Sequence, residues 1–330
     1  MSLALVIPVH NDQRHLDRLL DLALRLGVFD QVIVCDDGSD PPARLPGGTA
    51  IGPRRVPLTL VRRETPGGAG AARNAALPWV SASHLLYFDS DDLLTPELAM
   101  LWRDLAGRDF DLCLFRYHDS ARDDLGGWGQ TPRDEALWRL AGVSGQGLTE
   151  VAGAARWILA ETGNFPWNKI YRTDFLRAHG LRCGETAVHN DIDLHWGSFL
   201  AARQLLVSDR IAALHVVRAG GGRLTNRTGR ERLEVFIPLR RIAATLGAAD
   251  APEPARTAFL RFAAGLLTWV ESVLDPGLLP EFHQRCRAFL RNALPQEIFA
   301  GLTRTDPVLA LRLCLMMDPA TRARAGGTPC

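Results

Sequence analysis

The strongest constraint on the fold is an alternation of short apolar runs and amphipathic segments near the amino terminus. The runs LALVIPV (3–9), QVIVCDD (31–37), LTLVRRE (58–64) and HLLYFD (84–89) have the length and composition of buried strands. Between them, HLDRLLDLALRL and GAARNAALPWV carry apolar residues three and four positions apart, which is the helical period. Strands that alternate with helices predict βαβ units and a largely parallel sheet.

Acidic residues follow two of these predicted strands. Asp36 and Asp37 close the second strand, and Asp89, Asp91 and Asp92 follow the fourth. Because ligands of open α/β sheets bind outside the carboxyl ends of the strands, these positions predict a ligand site. Each group also has a plainer alternative, an Asp-Gly turn in the first case and a cap of the next helix in the second.

The rest of the chain predicts a second half of the same domain and a helical appendage. We expect a helix in TPELAMLWRDL with Thr95 as its cap, a strand over 111–119, a mobile loop in DDLGGWGQTPRDEALW, a helix in VAGAARWILAETG, a loop and short helix in PWNKIYRTDFLRAHG, and late strands over 204–218. Four amphipathic helices follow from about residue 230, and the tail TRARAGGTPC is expected to be disordered. The predicted domains are 1–228, with halves 1–100 and 101–228, and 229–330.

Composition excludes several classes of protein. Lys plus Arg number 38 against 37 Asp plus Glu, so a net charge of +1 gives no global bias toward nucleic acid. The six cysteines form no CxxC pair, which argues against a zinc knuckle and favours a reducing cytoplasm. No apolar stretch reaches the roughly 18 to 20 residues that span a bilayer, although peripheral attachment to the inner face of the plasma membrane stays open.

Two segments could bind phosphate or metal. Asp89 and Asp91 offer hard oxygen ligands two residues apart, which suit Mn²⁺ or Mg²⁺ bridging the phosphates of a nucleotide diphosphate. In PGGAGAARN, backbone N–H groups at a helix start could receive a phosphate, with Arg73 adding charge. A dinucleotide fingerprint is a weak reading of this segment, because Arg73 stands where the third glycine belongs.

The segment HNDIDLH (189–195) allows two arrangements. In a strand, His189, Asp191, Asp193 and His195 would share a face and could imitate a metal site. If a helix begins at Asn190, Asp191 and His195 stand four residues apart instead, and Asn190 or Asp191 could be its cap.

Taken in order, LALVIPVHN, VIVCDDGSD, GGAGAARNAAL and LLYFDSDDLLTPEL resemble the amino-terminal half of family-2 glycosyltransferases of the GT-A fold. The resemblance covers residues 3–100 most closely and 165–227 more loosely, where PWNKIYRTDFLRAHGLRCGETAVHND is similar to the family's WNK-LYR stretch and its ED pair. It implies an α/β fold of the nucleotide-diphospho-sugar transferase type, with a mixed, mostly parallel sheet flanked by helices.

The resemblance also implies roles for residues of the amino-terminal half. Pro8, His10 and Asn11 would border the nucleotide base, and Asp37, with Asp36, would hold it. Asp91 would be the principal metal ligand, and Asp92 a supporting or capping residue. The other donor-site residues implied are Arg73, Asn74, Asp89 and Ser90, of which Asp89 would contact the ribose or the metal.

In the second half, Asp191 matches the family's general base, while Asn190 replaces the usual Glu. His215 would ligate the metal or touch phosphate, and Arg218 or Arg223 would neutralise the diphosphate. Trp167, Asn168 and Lys169 would line the sugar or acceptor cleft. Taken alone, Trp167 can equally be a core residue, and His215 a packed strand histidine.

The expected reaction is an inverting transfer of a sugar from a nucleotide-diphosphate donor to a hydroxyl of a glycan or lipid-linked saccharide, in the synthesis of cell-surface polysaccharide. Three alternatives stay open. A nucleotidyltransferase would share the metal site but would usually carry glycines after the first strand, and an NAD-dependent oxidoreductase is disfavoured by the misplaced glycines. A non-catalytic binding protein is supported by Asn190 in place of Glu.

Overall fold

The structure is a computed structural model that describes residues 1–46, 50–51, 55–217, 227–248 and 251–318. Two compact units divide the chain. The first comprises Met1–Glu185 and Asn190–Ala219, and the second comprises Thr186–His189 and Gly220–Cys330. The predicted boundary after residue 228 stays a prediction.

The first unit is a sheet with helices. Its strands are β1 (Leu3–Val9), β2 (Gln31–Asp37), β3 (Ala50–Ile51), β4 (Val56–Arg63), β5 (His84–Tyr87), β6 (Leu93–Leu94), β7 (Leu112–Asp119), β8 (Leu148–Val151), β9 (Lys169–Arg172) and β10 (Leu205–His215). Its helices are α1 (Gln13–Leu26), α2 (Gly68–Ala76), α3 (Glu97–Asp104), α4 (Pro132–Leu140), α5 (Gly153–Ala160), α6 (Thr173–Ala178) and α7 (Ile192–Ala201).

The sheet has the order β3-β4-β2-β1-β5-β9-β7-β10-β6, and β8 pairs with β10. The long ladders of β1 with β2 and β5, of β2 with β4, and of β7 with β10 are parallel, whereas β9 runs antiparallel between β5 and β7. The predicted mixed, mostly parallel sheet with flanking helices is confirmed. Because β1, β2, β4 and β5 are parallel, their carboxyl ends lie at one edge, where the acidic motifs follow.

Burial explains why the first strand and helix form. Every residue of β1 is buried, as expected for a strand covered on both faces. In α1 the buried residues are Leu16, Leu19, Leu20 and Ala23, so one stripe of the helix packs on the core. Each fully buried leucine contributes roughly 1.5–3 kcal/mol. The helix ends at Gly27, whose left-handed φ of 63° suits glycine.

The structure corrects the prediction of a mobile loop at DDLGGWGQTPRDEALW. Helix α4 occupies its second half, because Thr131 Oγ1 accepts the Asp134 N–H at 3.2 Å and Pro132 takes the first turn. Trp138 on this helix is 1% exposed. Packing of this side chain in the interior stabilises the helix, although the composition of the segment is typical of a loop.

Other segments differ from the predictions in detail. Residues predicted as a loop in PWNKIYR include β9, whose hydrogen bonds come from non-local pairing with β5 and β7. The late strands form one long strand, β10, which is irregular between Ser208 and Ile211. Thr95 does not cap α3, because its hydroxyl donates to the Ile211 carbonyl at 2.6 Å.

The second unit is helical, as predicted. Within its described residues it contains α8 (Phe236–Ala248), α9 (Glu253–Val273), α10 (Leu279–Ala293), α11 (Gln296–Thr305) and α12 (Pro307–Met317). Helix α11 was not predicted. The tail TRARAGGTPC lies outside the described residues. Among the helices that the structure describes, none combines the length and apolar character that crossing a bilayer requires.

Candidate active site

The turn after β2 is held by Asp36. Its carboxylate is fully buried and accepts the N–H groups of Ser39 at 2.9 Å and Ala43 at 3.0 Å, and it pairs with Arg62 at 2.5 Å. Burial by itself would raise the pKa of Asp36, but these hydrogen bonds outweigh it and hold the pKa below its usual value. The carboxylate therefore stays charged and organises the DDGS turn.

Asp37 ties this turn to the start of α2. Its carboxylate accepts the N–H groups of Gly67 at 3.0 Å and Gly68 at 2.6 Å, and it also pairs with Arg63. The prediction that these glycine N–H groups are free for a phosphate was therefore wrong. Gly38 has a φ of 71°, and a Cβ there would lie 2.8 Å from the Pro66 ring, so only glycine fits this turn.

The end of β1 lies against the same turn. Pro8 is buried in β1, opposite Cys35 of β2, and the exposed His10 contacts the Asp37 carbonyl through Nδ1 at 2.8 Å. Asn11 is exposed, adopts a left-handed φ of 53°, and its Oδ1 accepts the Asp40 N–H at 2.8 Å. Asparagine tolerates this conformation better than most residues, which gives it a structural reason here.

Arg73 joins the two acidic motifs of the site. This residue of α2 is 2% exposed, and its guanidinium lies 2.5 Å from Asp89 Oδ1 and 2.6 Å from Asp191 Oδ1. A third bond, of 3.1 Å, goes to the side-chain oxygen of Asn190. One buried cation thus brings together residues 16 and 118 positions away in sequence.

The burial of Asp191 and the charges around it perturb its pKa. Burial raises the pKa of Asp191, the Arg73 charge opposes this effect, and the Asp89 charge adds to it, with a net raised pKa. The Asp191 side chain is 24% exposed, so it can be reached from outside. A partly exposed carboxylate with a raised pKa is suited to accept a proton.

The segment 189–195 adopts the helical alternative, and the strand alternative was wrong. Helix α7 begins after Asp191, which occupies the cap position without capping through its side chain. Four residues on, His195 is 1% exposed and its Nε2 contacts the Ala160 carbonyl at 2.8 Å. His195 therefore belongs to the packing of α7 and does not join Asp191 in a metal site.

Two predicted donor-site residues make internal hydrogen bonds. The Asn74 amide exchanges two bonds of 2.9 Å with the Cys183 backbone. The Ser90 hydroxyl donates to Asp12 Oδ2 at 3.0 Å. Both residues are 8% exposed, and their side chains fix the loops beside Arg73. Their predicted contact with a donor stays a prediction.

The acidic residues of the DSDD stretch are not equivalent. Asp89 pairs with Arg73, and the backbone carbonyl of Asp91 accepts a bond of 3.1 Å from Arg18. Asp92 is 2% exposed and accepts the Val216 N–H at 3.0 Å. Burial raises the pKa of Asp92 to about 7, although His215 opposes the shift.

A metal ion at this site would have few protein ligands. Within the ranges that the structure describes, no three His, Cys, Asp or Glu side chains are grouped to hold a metal ion. Asp89 and Asp91 supply two carboxylates, and an ion held by them would take its remaining ligands from substrate phosphates and water. This is the usual manner of Mg²⁺ binding at nucleotide sites.

The predicted sugar-cleft residues lie in the core. Trp167 is 1% exposed and packs on Tyr117 and Phe165, so the structure shows the core alternative for its ring. Lys169 is completely buried, donates to the Phe165 carbonyl and Asn168 Oδ1 at 2.6 and 2.7 Å, and has a pKa lowered to about 7 by burial. Asn168 is 1% exposed.

His215 lies at the end of β10. Its Nδ1 is 3.3 Å from Asp119 Oδ2, and its ring stacks on Trp167 with centroids 5.5 Å apart. Its predicted contact with metal or phosphate stays a prediction. Arg218 and Arg223 lie outside the described residues.

Sequence reasoning missed the arginines that neutralise the DDGS acids. In the parallel ladder of β2 and β4, Asp36 stands beside Arg62 and Asp37 beside Arg63. The second predicted strand ends in two acids, and the third contains two arginines near its end. If these two strands are placed side by side, the pattern predicts the two ion pairs. It also missed the segment around Gly184, because no local pattern indicated that it packs on α2.

The comparisons agree with this architecture. The sequence matches the model of Glycosyl transferase family 2 over residues 4–179, more than half of the chain. No curated protein sequence matches it. Residues 1–349 of S. aureus TarS, in complex with UDP-GlcNAc, superpose with a TM-score of 0.70 at 17% identity, covering 98% of this chain and 92% of that one.

A second solved structure is more distant. The mannosyltransferase PcManGT from Pyrobaculum calidifontis, in complex with GDP-Man and Mn²⁺, superposes with a TM-score of 0.52 at 15% identity, covering 99% of this chain and 88% of that one. The mixed sheet with its acidic edge is therefore the GT-A fold of nucleotide-sugar transferases. The chain belongs to glycosyltransferase family 2, which confirms the resemblance and makes it a glycosyltransferase.

Proposed function

We propose that this enzyme transfers a sugar, with inversion, from a nucleotide-diphosphate donor to a hydroxyl of a glycan or lipid-linked saccharide in cell-surface polysaccharide synthesis. The observation that carries the proposal is the position of Arg73 between Asp89 and Asp191. It joins the predicted donor-binding motif and the predicted base within the reach of one guanidinium. The residues proposed to bind the donor and the residue proposed to deprotonate the acceptor are therefore adjacent.

In this mechanism Asp191 is the general base. Its carboxylate accepts the proton of the acceptor hydroxyl while that oxygen bonds to the anomeric carbon and the bond from this carbon to the diphosphate breaks. Arg73 orients the carboxylate, and its positive charge opposes the rise in pKa that burial causes at Asp191. The partial exposure of Asp191 supports access by an acceptor.

Asp91 would hold Mn²⁺ or Mg²⁺, with Asp89 contributing a ligand or contacting the ribose. When bound, such an ion supplies positive charge that stabilises the departing diphosphate. His215 and Arg218 would add positive charge or hydrogen bonds on the same side. Asp89 pairs with Arg73. The choice of Asp91 as the principal ligand follows from the resemblance to the family's acidic motif.

The donor's nucleotide would lie over the DDGS turn. His10 and Asn11 are exposed there and would border the base above Pro8. Asp36 and Asp37 would act mainly through the turn they hold, because their carboxylates already accept several hydrogen bonds. Asn74 and Ser90 would support the ribose side, and Trp167, Asn168 and Lys169 would shape the floor of the sugar cleft from the core.

We place the transfer in the domain of residues 1–228 and assign residues 229–330 to a helical appendage. The reaction would take place in the cytoplasm, at the inner face of the plasma membrane where the acceptor is lipid-linked. The absence of a global positive charge means that any attachment there would have to be local.

The test is a panel of nucleotide sugars, each with Mn²⁺, screened by thermal shift and by slow donor hydrolysis. At least one UDP- or GDP-sugar should raise the melting temperature, and Asp91→Ala should remove the metal-dependent part of that rise. Asp191→Asn should bind the donor as the parent does but transfer no sugar.

Asp174→Ala is the matched control, because the side chain of Asp174 is 91% exposed and lies outside the site. It should change neither binding nor transfer. A rise in melting temperature with NAD and with none of the nucleotide sugars would exclude the proposed function. Full transfer by Asp191→Asn would exclude Asp191 as the base.

A further inference from the structure

A cavity outside the candidate active site lies in the first unit, on the side of β10 where β8 and α3 pack. Its volume is about 710 Å³. The lining comes from the residues before and within α3, from the irregular part of β10, from the start of β8 and from Trp128. Volumes of roughly 300–1,000 Å³ are typical of small-molecule sites.

Trp128 is the most distinctive residue of this cavity. This residue is 64% exposed, which is unusual for a tryptophan. One face of its ring stacks on His118 at 3.8 Å, and His118 is completely buried. His118 Nδ1 accepts the Gly129 N–H at 3.1 Å, and its Nε2 lies 2.8 Å from Asp123. The indole is therefore supported from behind, while its exposed side borders the cavity.

The polar lining is held in place by ion pairs. Arg210 Nη1 is 2.7 Å from Glu97, and its Nε is 2.5 Å from Asp104. Asp209 accepts the Gly147 N–H at 2.9 Å. Asp209 also lies 3.7 Å from Arg116 Nη1. The cavity lining itself contains three carboxylates and one guanidinium, so its acidic groups outnumber its basic ones.

The segment that follows Asp91 leads to this cavity along one pair of strands. Asp92 binds the backbone just after β10, and β6 then runs antiparallel to β10. The same chain reaches Thr95, which lines the cavity and bonds to Ile211. From Asp91 to Thr95 is four residues, or about 13 Å of extended chain. That length bounds the distance along the chain between the predicted metal ligand and the cavity lining at Thr95.

We propose that this cavity binds neutral sugar units of the acceptor glycan, with a sugar ring stacked on Trp128. The apolar face of a sugar ring can stack on the exposed indole. The hydroxyl groups around the edge of the sugar can donate hydrogen bonds to the carboxylates beside it. The three carboxylates oppose phosphate, sulfate or uronate groups, so the site disfavours anionic units. The role as an acceptor site rests on the proposed function, whereas saccharide binding does not.

The test measures binding of two neutral probes, cellohexaose and chitohexaose, to the full chain. Saturation-transfer difference NMR detects the bound probe. The parent protein should bind at least one of them, and Trp128→Ala should weaken that binding about tenfold or more, a loss of roughly 1.4 kcal/mol. A heparin hexasaccharide, which is anionic, should bind more weakly than the neutral probe.

Trp79→Ala is the matched control, because Trp79 is 56% exposed and does not line the cavity. It should bind the probe as the parent does. The proposal is overturned if neither neutral hexasaccharide binds the parent protein, if Trp128→Ala binds as tightly as the parent, or if heparin binds best.

Donor binding separates this proposal from the proposed function. Trp128→Ala should keep the thermal shift with nucleotide sugar and Mn²⁺, and Asp191→Asn should keep the binding of the neutral hexasaccharide. If no nucleotide sugar binds but a hexasaccharide still depends on Trp128, the proposed function fails and the saccharide site stands. If a nucleotide sugar binds normally but no saccharide binding depends on Trp128, the saccharide site fails and the proposed function stands.

Discussion

At the scale of single residues, Arg73 explains the departure at Asn190. One guanidinium faces two carboxylates, Asp89 and Asp191, and the Asn190 side chain adds a neutral hydrogen-bond acceptor. A glutamate at position 190 would place a third negative charge beside one cation. The asparagine therefore keeps the hydrogen bond to Arg73 without adding repulsion at the proposed base.

Asn190→Glu should shift the pH dependence of transfer. An additional carboxylate raises the pKa of Asp191, and a base works only when it is deprotonated. The acidic limb of kcat/KM against pH should therefore move to higher pH. Asn190→Gln adds no charge and is the control. An unchanged acidic limb in Asn190→Glu would separate Asp191 from the titration that governs transfer.

Arg73→Met should destabilise the fold by removing the cation that both carboxylates share. Breaking a buried pair costs about 3–5 kcal/mol, and we expect the lower end because Asp89 and Asp191 are partly exposed. Urea unfolding measures the loss. Arg25→Met, which breaks the exposed pair with Asp21, should cost less than about 1 kcal/mol. Equal losses in the two variants would contradict this account.

At the scale of elements, α2 and the segment before α7 fit closely because of Gly70. A Cβ at this position would lie 2.0 Å from the Gly184 carbonyl oxygen and 2.9 Å from Asn190 Cβ. The glycine lets the helix approach the segment that carries Asp191. Arg73, one turn further along α2, then reaches the two carboxylates.

Gly70→Ala should destabilise the protein by about 1–3 kcal/mol, because the backbone at Gly184 has to move. It should also lower transfer by displacing Asp191 from Arg73. Gly247→Ala, at an exposed helical glycine with open space around it, should be neutral or slightly stabilising. Urea midpoints and transfer rates test both, and an unchanged Gly70→Ala would mean that this close approach is not needed.

At the scale of the whole molecule, the cysteines differ in their exposure to solvent. Cys35, Cys113, Cys183 and Cys286 are buried, whereas Cys314 is partly exposed. Burial raises the pKa of all four buried thiols, to about 12 for Cys35 and Cys183. A thiol that is both buried and protonated is a poor nucleophile.

Native alkylation with iodoacetamide should therefore modify Cys314 and spare the four buried thiols until the chain unfolds. A Cys330→Ser background removes the cysteine that lies outside the described residues. Peptide mass spectrometry locates the label. Rapid labelling of Cys183 in the native protein would show that the segment packed on α2 opens readily.

Local pattern determined much of this molecule. The period of apolar residues fixed β1, β2, α1 and the helical character of the second unit, because each depends on which face of a segment is buried. The order of acidic and glycine motifs indicated the family, which the comparison confirms. These signals are contained in short stretches of sequence.

Tertiary structure decided the partners of the acidic residues and the form of the irregular segments. Three features of the site depend on which strands are neighbours. They are the pairing of Arg73 with Asp191, the hydrogen bonds from the Gly67 and Gly68 N–H groups to Asp37, and the burial of Trp167. Helix α4 and strand β9 form because distant residues pack on them or pair with them. Local sequence carries no record of such contacts, since their energy arises only when the sheet order brings separate segments together.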